Sequence, residues 1–144
     1  MSDLAMADAG NDERLRAKTR AAVRARNLAS ASNNTRWNEL ISHFRSLEDW
    51  RPSYRSKSVT GFVSGWDSEW FAHLPFPFET VEWFDIGLLE DGPFLGHLLP
   101  ATTIDHGPEI LPVLEQIGFE FERREDVVRI WGYLPKSYED FPPR

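Results

Sequence analysis

The sequence contains no cysteine among its 144 residues, which excludes disulfide bonds, thiol nucleophiles, cysteine-ligated zinc and iron–sulfur clusters. It has no apolar run that approaches the roughly 18 residues of a membrane-spanning helix. Its first residues lack the apolar stretch of a secretory signal peptide, and no glycine-rich dinucleotide motif or Walker-type phosphate loop occurs. These absences favour a soluble protein of the cytoplasm.

Positive charge is missing from the middle of the chain. Residues 58–122 contain twelve acidic residues and none of the 16 lysines and arginines, whereas residues 12–29 contain six bases and two acids. The formal net charge is −7. Because an acidic surface attracts basic partners and repels phosphates, the overall charge argues against a nucleic-acid binder. Ordinary solvation of a small cytosolic protein also explains such a charge pattern.

The composition is that of a globular protein, with 41% hydrophobic, 27% charged and 13% aromatic residues. A chain of this length buries enough apolar surface for one core. We predict a mobile tail over residues 1–10, a basic helix over residues 11–30 and a single globular domain over residues 31–144.

The basic helix begins after a capping residue, Asn11 or Asp12. Its six cations are Arg14, Arg16, Lys18, Arg20, Arg24 and Arg26. They occupy several faces of the helix, while its apolar stripe is thin. Three destinations are therefore open for it: nucleic acid, an acidic membrane surface, or the acidic body of its own chain.

Two further helices are indicated by spacing and by helix-end residues. The apolar residues Trp37, Leu40, Ile41, Phe44 and Leu47 recur on one helical face. This pattern predicts a helix that follows the turn at residues 32–35. A shorter helix begins with Pro108 at its first position and is closed by Gly118, and Pro112 makes its first turn irregular.

Alternating polar and apolar residues predict strands in the remaining sequence. One strand follows Pro52 and has polar residues on one side, and another ends near Gly87 with aromatic residues on both faces, as in a central strand. Residues 119–133 predict a hairpin that turns near Glu125 and Asp126. The order is α-α-β-β-α-β-β, which corresponds to an α+β fold with a small, mainly antiparallel sheet packed by two or three helices.

Aromatic and acidic residues alternate between residues 66 and 84. Seven of these residues are Trp or Phe: Trp66, Trp70, Phe71, Phe76, Phe78, Trp83 and Phe84. They either fill the core, form a partner-binding surface, or stack sugars beside an acid–base pair of carboxylates. The candidate partner-contact residues, on condition that they are exposed, are Asp67, Glu69, Trp70, Glu82 and Asp85.

Several short motifs in this region resemble a known family. They are Gly65-Trp66-Asp67, Leu74-Pro75-Phe76-Pro77 and Glu82-Trp83-Phe84-Asp85, preceded by Trp-Asn-Glu-Leu and Trp-Arg-Pro-Ser-Tyr. The sequence is similar to a family of short bacterial proteins classified only as a domain of unknown function. The resemblance extends from about Arg24 to Tyr133 and implies no activity.

Histidines and serines offer alternatives of an enzymatic kind. Metal ligands could come from His97, Asp105 and His106 together with Asp67, Glu69 or His73. Their spacing matches no metal signature, so we predict no metal and no cofactor. His43 lies beside Phe44 and is expected to be half-buried or on the surface. A nucleophilic triad would need Ser64, Ser68 or Ser137, and none of them lies in a G-x-S-x-G motif.

Size, acidity and the cation-free middle lead to one functional hypothesis. The sequence predicts a non-enzymatic interaction protein that binds a basic protein partner, in the manner of a toxin-neutralising immunity protein. The competing hypothesis is a small hydrolase or ligand-binding enzyme that uses a carboxylate and His73, His97 or His106. A deep pocket that brings one histidine and two carboxylates together would favour the enzyme.

Overall fold

Three α-helices, one short 3-10 helix (Phe78–Thr80) and eight short strands are the regular elements in the part of the chain that the structure describes. The computed structural model describes residues 4–91 and 102–143. The helices are α1 (Glu13–Ala25), α2 (Asn34–Ser46) and α3 (Gly107–Ile117). The strands are β1 (Ala29–Ser30), β2 (Tyr54–Ser58), β3 (Val81–Gly87), β4 (Leu89–Asp91), β5 (Thr103–Asp105), β6 (Phe121–Arg124), β7 (Val127–Trp131) and β8 (Tyr133–Leu134). The α+β class and the approximate element order confirm the prediction.

Four strands form the main sheet, in the order β2-β3-β7-β6, and each neighbouring pair is antiparallel. The register aligns Ser56 with Phe84, Phe84 with Ile130, and Ile130 with Phe121. β3 lies in the interior, as its aromatic residues on both faces predicted. β6 and β7 form the predicted hairpin, with Glu125 in the turn at a φ of 55°. The short pairs β1-β8 and β4-β5 were not predicted.

One face of the sheet packs against α2 and α3. The buried residues of α2 are Trp37, Leu40, Ile41 and Phe44. They lie on one helical face, as their spacing predicted. The ring centroid of Trp37 lies 5.9 Å from that of Phe84 on β3, and α3 adds Ile110 and Leu114 to the same core.

The bounds of α3 differ slightly from the prediction. The helix begins at Gly107, so Pro108 occupies its second position, and it continues through Pro112 to Ile117. Gly118 closes the helix with a φ of 100°, as predicted. A left-handed residue of this kind is most easily supplied by glycine.

The residues around Ala7 are packed against the core, although a mobile tail was predicted over residues 1–10, of which residues 1–3 lie outside the described part of the chain. Ala7 is fully buried. Its N–H donates to Asn38 Oδ1 at 2.8 Å, and its carbonyl accepts from the Phe78 N–H at 2.8 Å. The sequence did not indicate this packing because a single buried alanine produces no hydrophobic periodicity.

Helix α1 contacts the body of its own chain. Asp12 caps it by accepting a hydrogen bond from the Leu15 N–H at 3.1 Å. Arg16 Nη1 donates to Glu79 Oε1 at 2.8 Å. Arg26, immediately after the helix, donates to both carboxylate oxygens of Glu82, at 2.7 and 2.9 Å. Of the three destinations considered for the basic helix, these contacts correspond to docking on the acidic body.

The described helices are short relative to a bilayer. α1 and α2 have 13 residues each, whereas a membrane span needs roughly 20. Within residues 4–91 and 102–143, no helix combines the length and the apolar character required to cross a membrane.

Candidate functional site

An open groove with a volume of about 490 Å³ lies beside the edge of the main sheet. Five parts of the chain line it: Leu15 of α1, alternate residues of β2, the segment 60–67, the segment 73–76, and residues 80–81 at the start of β3. Its hydroxyl-bearing residues are Tyr54, Ser56, Ser58, Thr60, Ser64 and Thr80. Its larger apolar residues are Leu15, Phe62, Trp66, Pro75, Phe76 and Val81. Among the residues that the structure describes, no lysine or arginine lines the groove.

We call residues 60–67 the edge segment, because they lie alongside β2 at the margin of the sheet. The Ser58 N–H donates to the Phe62 carbonyl at 2.8 Å, and the Ser64 N–H donates to the Ser56 carbonyl at 2.9 Å. Asp67 and Tyr54 exchange two backbone hydrogen bonds of 2.8 and 2.9 Å. The edge segment therefore holds one wall of the groove in a fixed register with β2.

Asp67 and His73 form a hydrogen-bonded pair at the groove. His73 Nδ1 lies 2.8 Å from Asp67 Oδ2, and the other carboxylate oxygen accepts the Glu69 N–H at 2.9 Å. The Glu69 N–H and then the His73 ring lower the pKa of Asp67. His73 is exposed, so its second ring nitrogen is accessible from solvent.

Glu69 holds the turn that carries His73. Its Oε1 accepts three backbone N–H groups, from Phe71 at 2.8 Å, Ala72 at 2.7 Å and His73 at 3.0 Å. Loss of hydration would raise the pKa of Glu69, but these donors outweigh it and the pKa is lowered. The predicted contact residues Asp67 and Glu69 thus shape one loop and are partly accessible.

The other three predicted contact residues are buried, so they do not meet the condition of exposure and are not available to a partner. Trp70 is in the core, where its indole N–H donates to the Pro52 carbonyl at 2.8 Å. Glu82 is covered and bound by Arg26. Asp85 is fully buried among charged groups. The sequence offered one indication of the burial of Glu82 and Asp85, because both lie among apolar residues of the same predicted strand.

The burial of Asp85 depends on two arginines. Arg129 donates from Nε and Nη2 to its two oxygens, at 2.7 and 2.9 Å, and Arg55 Nε donates at 3.0 Å. The C-terminal segment (residues 135–143) covers this face of the sheet. Arg129 Nη1 donates to the Ser137 carbonyl at 3.1 Å and to the Glu139 carbonyl at 2.7 Å. This cluster is closed and has a structural role.

Most of the seven aromatic residues between 66 and 84 belong to cores. Trp70, Phe78, Trp83 and Phe84 are buried, and Phe76 is partly buried against the core. Trp66 and Phe71 are exposed. Trp66 and Phe76 line the groove. The interpretation as core residues therefore holds for most of the set, and sequence alone did not separate the two exposed rings from the others.

Six of the twelve acids in residues 58–122 form ion pairs with lysines or arginines from other segments. The ion pairs are Arg16–Glu79, Arg26–Glu82, Arg55–Asp85, Arg129–Asp85, Arg123–Asp105, Arg124–Glu122 and Lys136–Glu120. Each base lies outside residues 58–122. Acids from the cation-free middle of the chain and bases from the other segments therefore bind each other within the fold.

A second acidic site lies beside α2 and α3. We define the Trp50 surface as Glu48, Asp49, Trp50, His106 and Glu109, which border a cavity of about 330 Å³. The rings of Trp50 and His106 stack with centroids 3.9 Å apart. Glu48 and Asp49 are exposed, and they form no ion pair with any residue in the described ranges.

His106 binds carboxylates on both sides of its ring. Nδ1 lies 2.6 Å from Glu109 Oε2, and Nε2 lies 2.8 Å from Glu90 Oε1. Burial alone would lower the pKa of His106, but the hydrogen bonds to Glu109 and Glu90 outweigh it and raise the pKa. One histidine and two carboxylates therefore meet, which is one part of the arrangement predicted to favour an enzyme; the other part is a deep pocket that contains them. Within residues 4–91 and 102–143, no group of three side chains is arranged to hold a metal ion.

The remaining candidates for catalysis are separate from one another. His97 lies outside the described residues, and burial lowers the pKa of His43 on α2. The Ser64 hydroxyl in the groove donates to the Gly65 carbonyl at 3.0 Å and accepts from the Ser56 N–H at 2.9 Å. In the described part of the chain, no serine hydroxyl is hydrogen-bonded to the His73 ring.

The model of a family of unknown function, DUF6678, matches residues 19–137. No curated protein and no solved structure matches the chain. The match includes the edge segment, the Asp67–His73 pair and the Trp50 surface.

Proposed function

Because the chain belongs to DUF6678, a family whose description gives no activity, we propose its function from the geometry: it is a non-enzymatic interaction module that binds a basic protein partner in the cytoplasm. The binding region is the Trp50 surface. The proposal retains the acidic, aromatic contact that the sequence predicted. It assigns that contact to other residues, because Trp70, Glu82 and Asp85 are buried.

One observation supports this proposal above the others. Glu48 and Asp49 are exposed carboxylates without an ion-pair partner among the described residues, whereas six of the twelve acids of residues 58–122 are paired with a lysine or arginine of the same chain. Carboxylates with no internal base are free to attract a lysine or arginine of another protein. The fold leaves this negative charge next to an aromatic ring.

Trp50 supplies the apolar part of the proposed contact. Its side chain is partly accessible and fixed by the stack on His106. A tryptophan face attracts a lysine or arginine by a cation–π interaction, worth about 0.5–1 kcal/mol at an exposed site. Tryptophan and arginine are also typical anchors of protein interfaces. The chemistry of the surface therefore fits a cationic side chain.

A toxin-neutralising role is the particular form of this function that we propose. Toxins that act on nucleic acids present basic surfaces to phosphates. An acidic protein competes for such a surface, and its net charge of −7 disfavours binding to the nucleic acid itself.

Affinity capture with matched variants tests the proposal. The tagged protein is incubated with native cell lysate, and the captured proteins are compared with those of a Glu48→Lys/Asp49→Lys variant. The control variant is Glu125→Lys/Asp126→Lys, which makes the same charge change in the exposed β6-β7 turn. We expect a basic protein that is lost with the first variant and kept with the control. A partner captured equally by all three proteins, or no basic partner, contradicts the proposal.

A ligand-binding or hydrolytic enzyme is the second candidate. The observation that favours it is the Asp67–His73 pair at the 490 Å³ groove, because a histidine oriented by a carboxylate is suited to general-base catalysis. Hydrolysis of p-nitrophenyl esters tests this function. Turnover that falls at least tenfold in His73→Ala, but not in His43→Ala, would support the enzyme, while equal rates in all three proteins would contradict it.

A further inference from the structure

We infer that the edge segment is a contact surface for a second copy of this chain, whose own edge segment pairs with it as an antiparallel strand. The inference does not rest on the proposed function, because it concerns different residues from the Trp50 surface. Three properties of the edge segment lead to it: unpaired backbone groups, the absence of charge, and an exposed aromatic side chain beside the groove.

Val63 has backbone groups that the fold does not use. It faces Lys57 of β2 in an antiparallel bridge, and the hydrogen bonds that join the two segments lie on either side of this pair. Two residues that face each other in this pattern exchange no hydrogen bonds, so the N–H and the carbonyl of Val63 point away from β2. Neither group bonds to any residue in the described ranges. The outer side of the edge segment can therefore pair with another strand.

The outer side of the edge segment is also open. Phe62 and Val63 are exposed. A side-chain carbon added at Gly61 or at Gly65 would meet no atom of the described residues within 4 Å. A second strand can therefore approach Val63 without displacing another part of the fold.

The edge segment offers no charge to a charged partner. Residues 58–66 contain no acidic or basic side chain, although the chain has a formal net charge of −7. The opposite edge of the main sheet is β6, which contains Glu122, Arg123 and Arg124. Charged side chains of this kind protect a sheet edge against pairing. The edge segment lacks this protection, and the uncharged strand that matches it is the edge segment of a second copy.

A two-fold axis makes the contact self-complementary. With Val63 opposite Val63 of the second copy, each N–H donates to the carbonyl of the other. In this register, Phe62 lies opposite Ser64 of the second copy. Residues that face each other in paired strands have their side chains on the same side of the sheet. Each Phe62 therefore extends over Ser64 of the other copy.

Phe62 reaches the groove of the second copy in this arrangement. Both Phe62 and Ser64 line the groove of their own chain, so the groove-bearing sides of the two sheets coincide. Phe62 is 72% exposed, more than any other large hydrophobic side chain in the part of the chain that the structure describes. The groove has apolar lining residues, such as Leu15 and Phe76. Burial of two phenylalanine rings against these linings would stabilise the pair.

The first test is sedimentation velocity of the full chain over a range of concentrations. A single strand pair belongs to the small, weak class of interfaces, so we expect monomers at about 10 µM and dimers at about 1 mM. Phe62→Asp should weaken association at least about tenfold, because it brings a carboxylate to the groove of the second copy. Phe71→Asp makes the same charge change at an exposed ring outside the groove lining, and it should associate as the wild type does. Circular dichroism checks that both variants are folded.

The second test uses the absence of cysteine from the chain. Val63→Cys introduces one thiol per molecule at the centre of the proposed pair. Facing residues that exchange hydrogen bonds have Cα atoms about 5.5 Å apart, which a disulfide can span. Under mild oxidation, Val63→Cys should form a covalent dimer at least about tenfold faster than Phe71→Cys, because pairing raises the effective concentration of its thiols.

Three results would overturn the inference. The first is a wild type that remains monomeric at about 1 mM, which would leave the edge segment to a strand of a different protein. The second is equal association of Phe62→Asp and Phe71→Asp, which would place any dimer contact elsewhere. The third is equal rates of disulfide formation in Val63→Cys and Phe71→Cys.

Discussion

Arg26 binds Glu82 through two hydrogen bonds, of 2.7 and 2.9 Å, across 56 residues of sequence. Glu82 is buried on the central strand β3, whereas Arg26 lies at the end of α1 and is partly exposed. The same guanidinium donates to the Val59 carbonyl at 2.9 Å. This pair connects the basic helix to the acidic sheet, and it makes the stability of the sheet dependent on the helix.

We predict that Arg26→Ala destabilises the fold by about 2 kcal/mol, because it leaves a buried carboxylate without its base. The value is below that of a fully buried pair, since solvent screens an exposed guanidinium. Urea unfolding measures the change. Arg24→Ala removes an exposed arginine of the same helix, and its effect should stay within about 0.5 kcal/mol. If Arg26→Ala and Arg24→Ala destabilised the fold equally, the Arg26–Glu82 pair would not stabilise it.

Substitution in the Asp85 cluster should lower the free energy of unfolding more than substitution of Arg26 does. Asp85→Ala leaves Arg55 and Arg129 without their shared carboxylate in a buried site, and we expect a loss of about 3–5 kcal/mol in the free energy of unfolding. Asp85→Asn keeps the side-chain volume and one acceptor, so it should cost less. The exposed Asp126→Ala is the control, and chemical denaturation gives all three values. If Asp85→Ala lowered the free energy of unfolding by less than about 1 kcal/mol, the cluster would not have the structural role described above.

His106 should make stability depend on pH. Its pKa is raised because the hydrogen bonds to Glu109 and Glu90 outweigh burial. The folded protein therefore holds the proton more tightly than the unfolded chain does. The stabilisation is fully present below the unfolded pKa of about 6.5, and it is lost as pH rises through the higher folded pKa.

Two measurements check this pH dependence. NMR titration should place the pKa of His106 above 6.5 and that of His43 below it, because burial lowers the pKa of His43. Urea unfolding should show wild-type stability falling between the unfolded and folded pKa values of His106. His106→Asn should remove this fall. If the stability of the wild type and of His106→Asn changed with pH in the same way, His106 would not be the source of the pH dependence.

The burial of Ala7 gives a test of the N-terminal packing. Ala7→Asp places a charge in a fully buried position, and we expect a loss of more than about 2 kcal/mol. Leu4 is exposed in the same segment, so Leu4→Asp should change stability by less than about 0.5 kcal/mol. Thermal and urea unfolding measure both. If the segment around Ala7 were mobile, Ala7→Asp and Leu4→Asp would have equally small effects on the free energy of unfolding.

The helices and the main sheet were predictable because their apolar residues repeat with a helical or strand period. The face formed by α2 and the β6-β7 hairpin are examples. The pairs β1-β8 and β4-β5 were not predictable, since two or three residues cannot display a period. The packing of Ala7 was missed for the same reason.

The site was predicted less well than the fold, because the sequence does not tell exposed aromatic or acidic residues from buried ones. Asp67 and Glu69 were chosen together with Asp85, yet only the first two reach solvent. One indication was available. Arg129 is the one charged residue of β7, Asp85 lies between Phe84 and Ile86 on β3, and buried charges of opposite sign are expected to pair. The Trp50 surface was missed because it joins segments that are about 56 residues apart.

The C-terminal segment also sets an order of events during synthesis. Arg55, Asp85 and Arg129 leave the ribosome before residues 137–140, whose carbonyls complete the hydrogen bonding of Arg129. Until then, the charged face of the sheet stays open to water. Domains generally fold as units during translation, and this face is sealed only once residues 137–140 have emerged. A chain from which residues 137–143 have been removed should therefore be cut more readily by proteases on this side of the sheet.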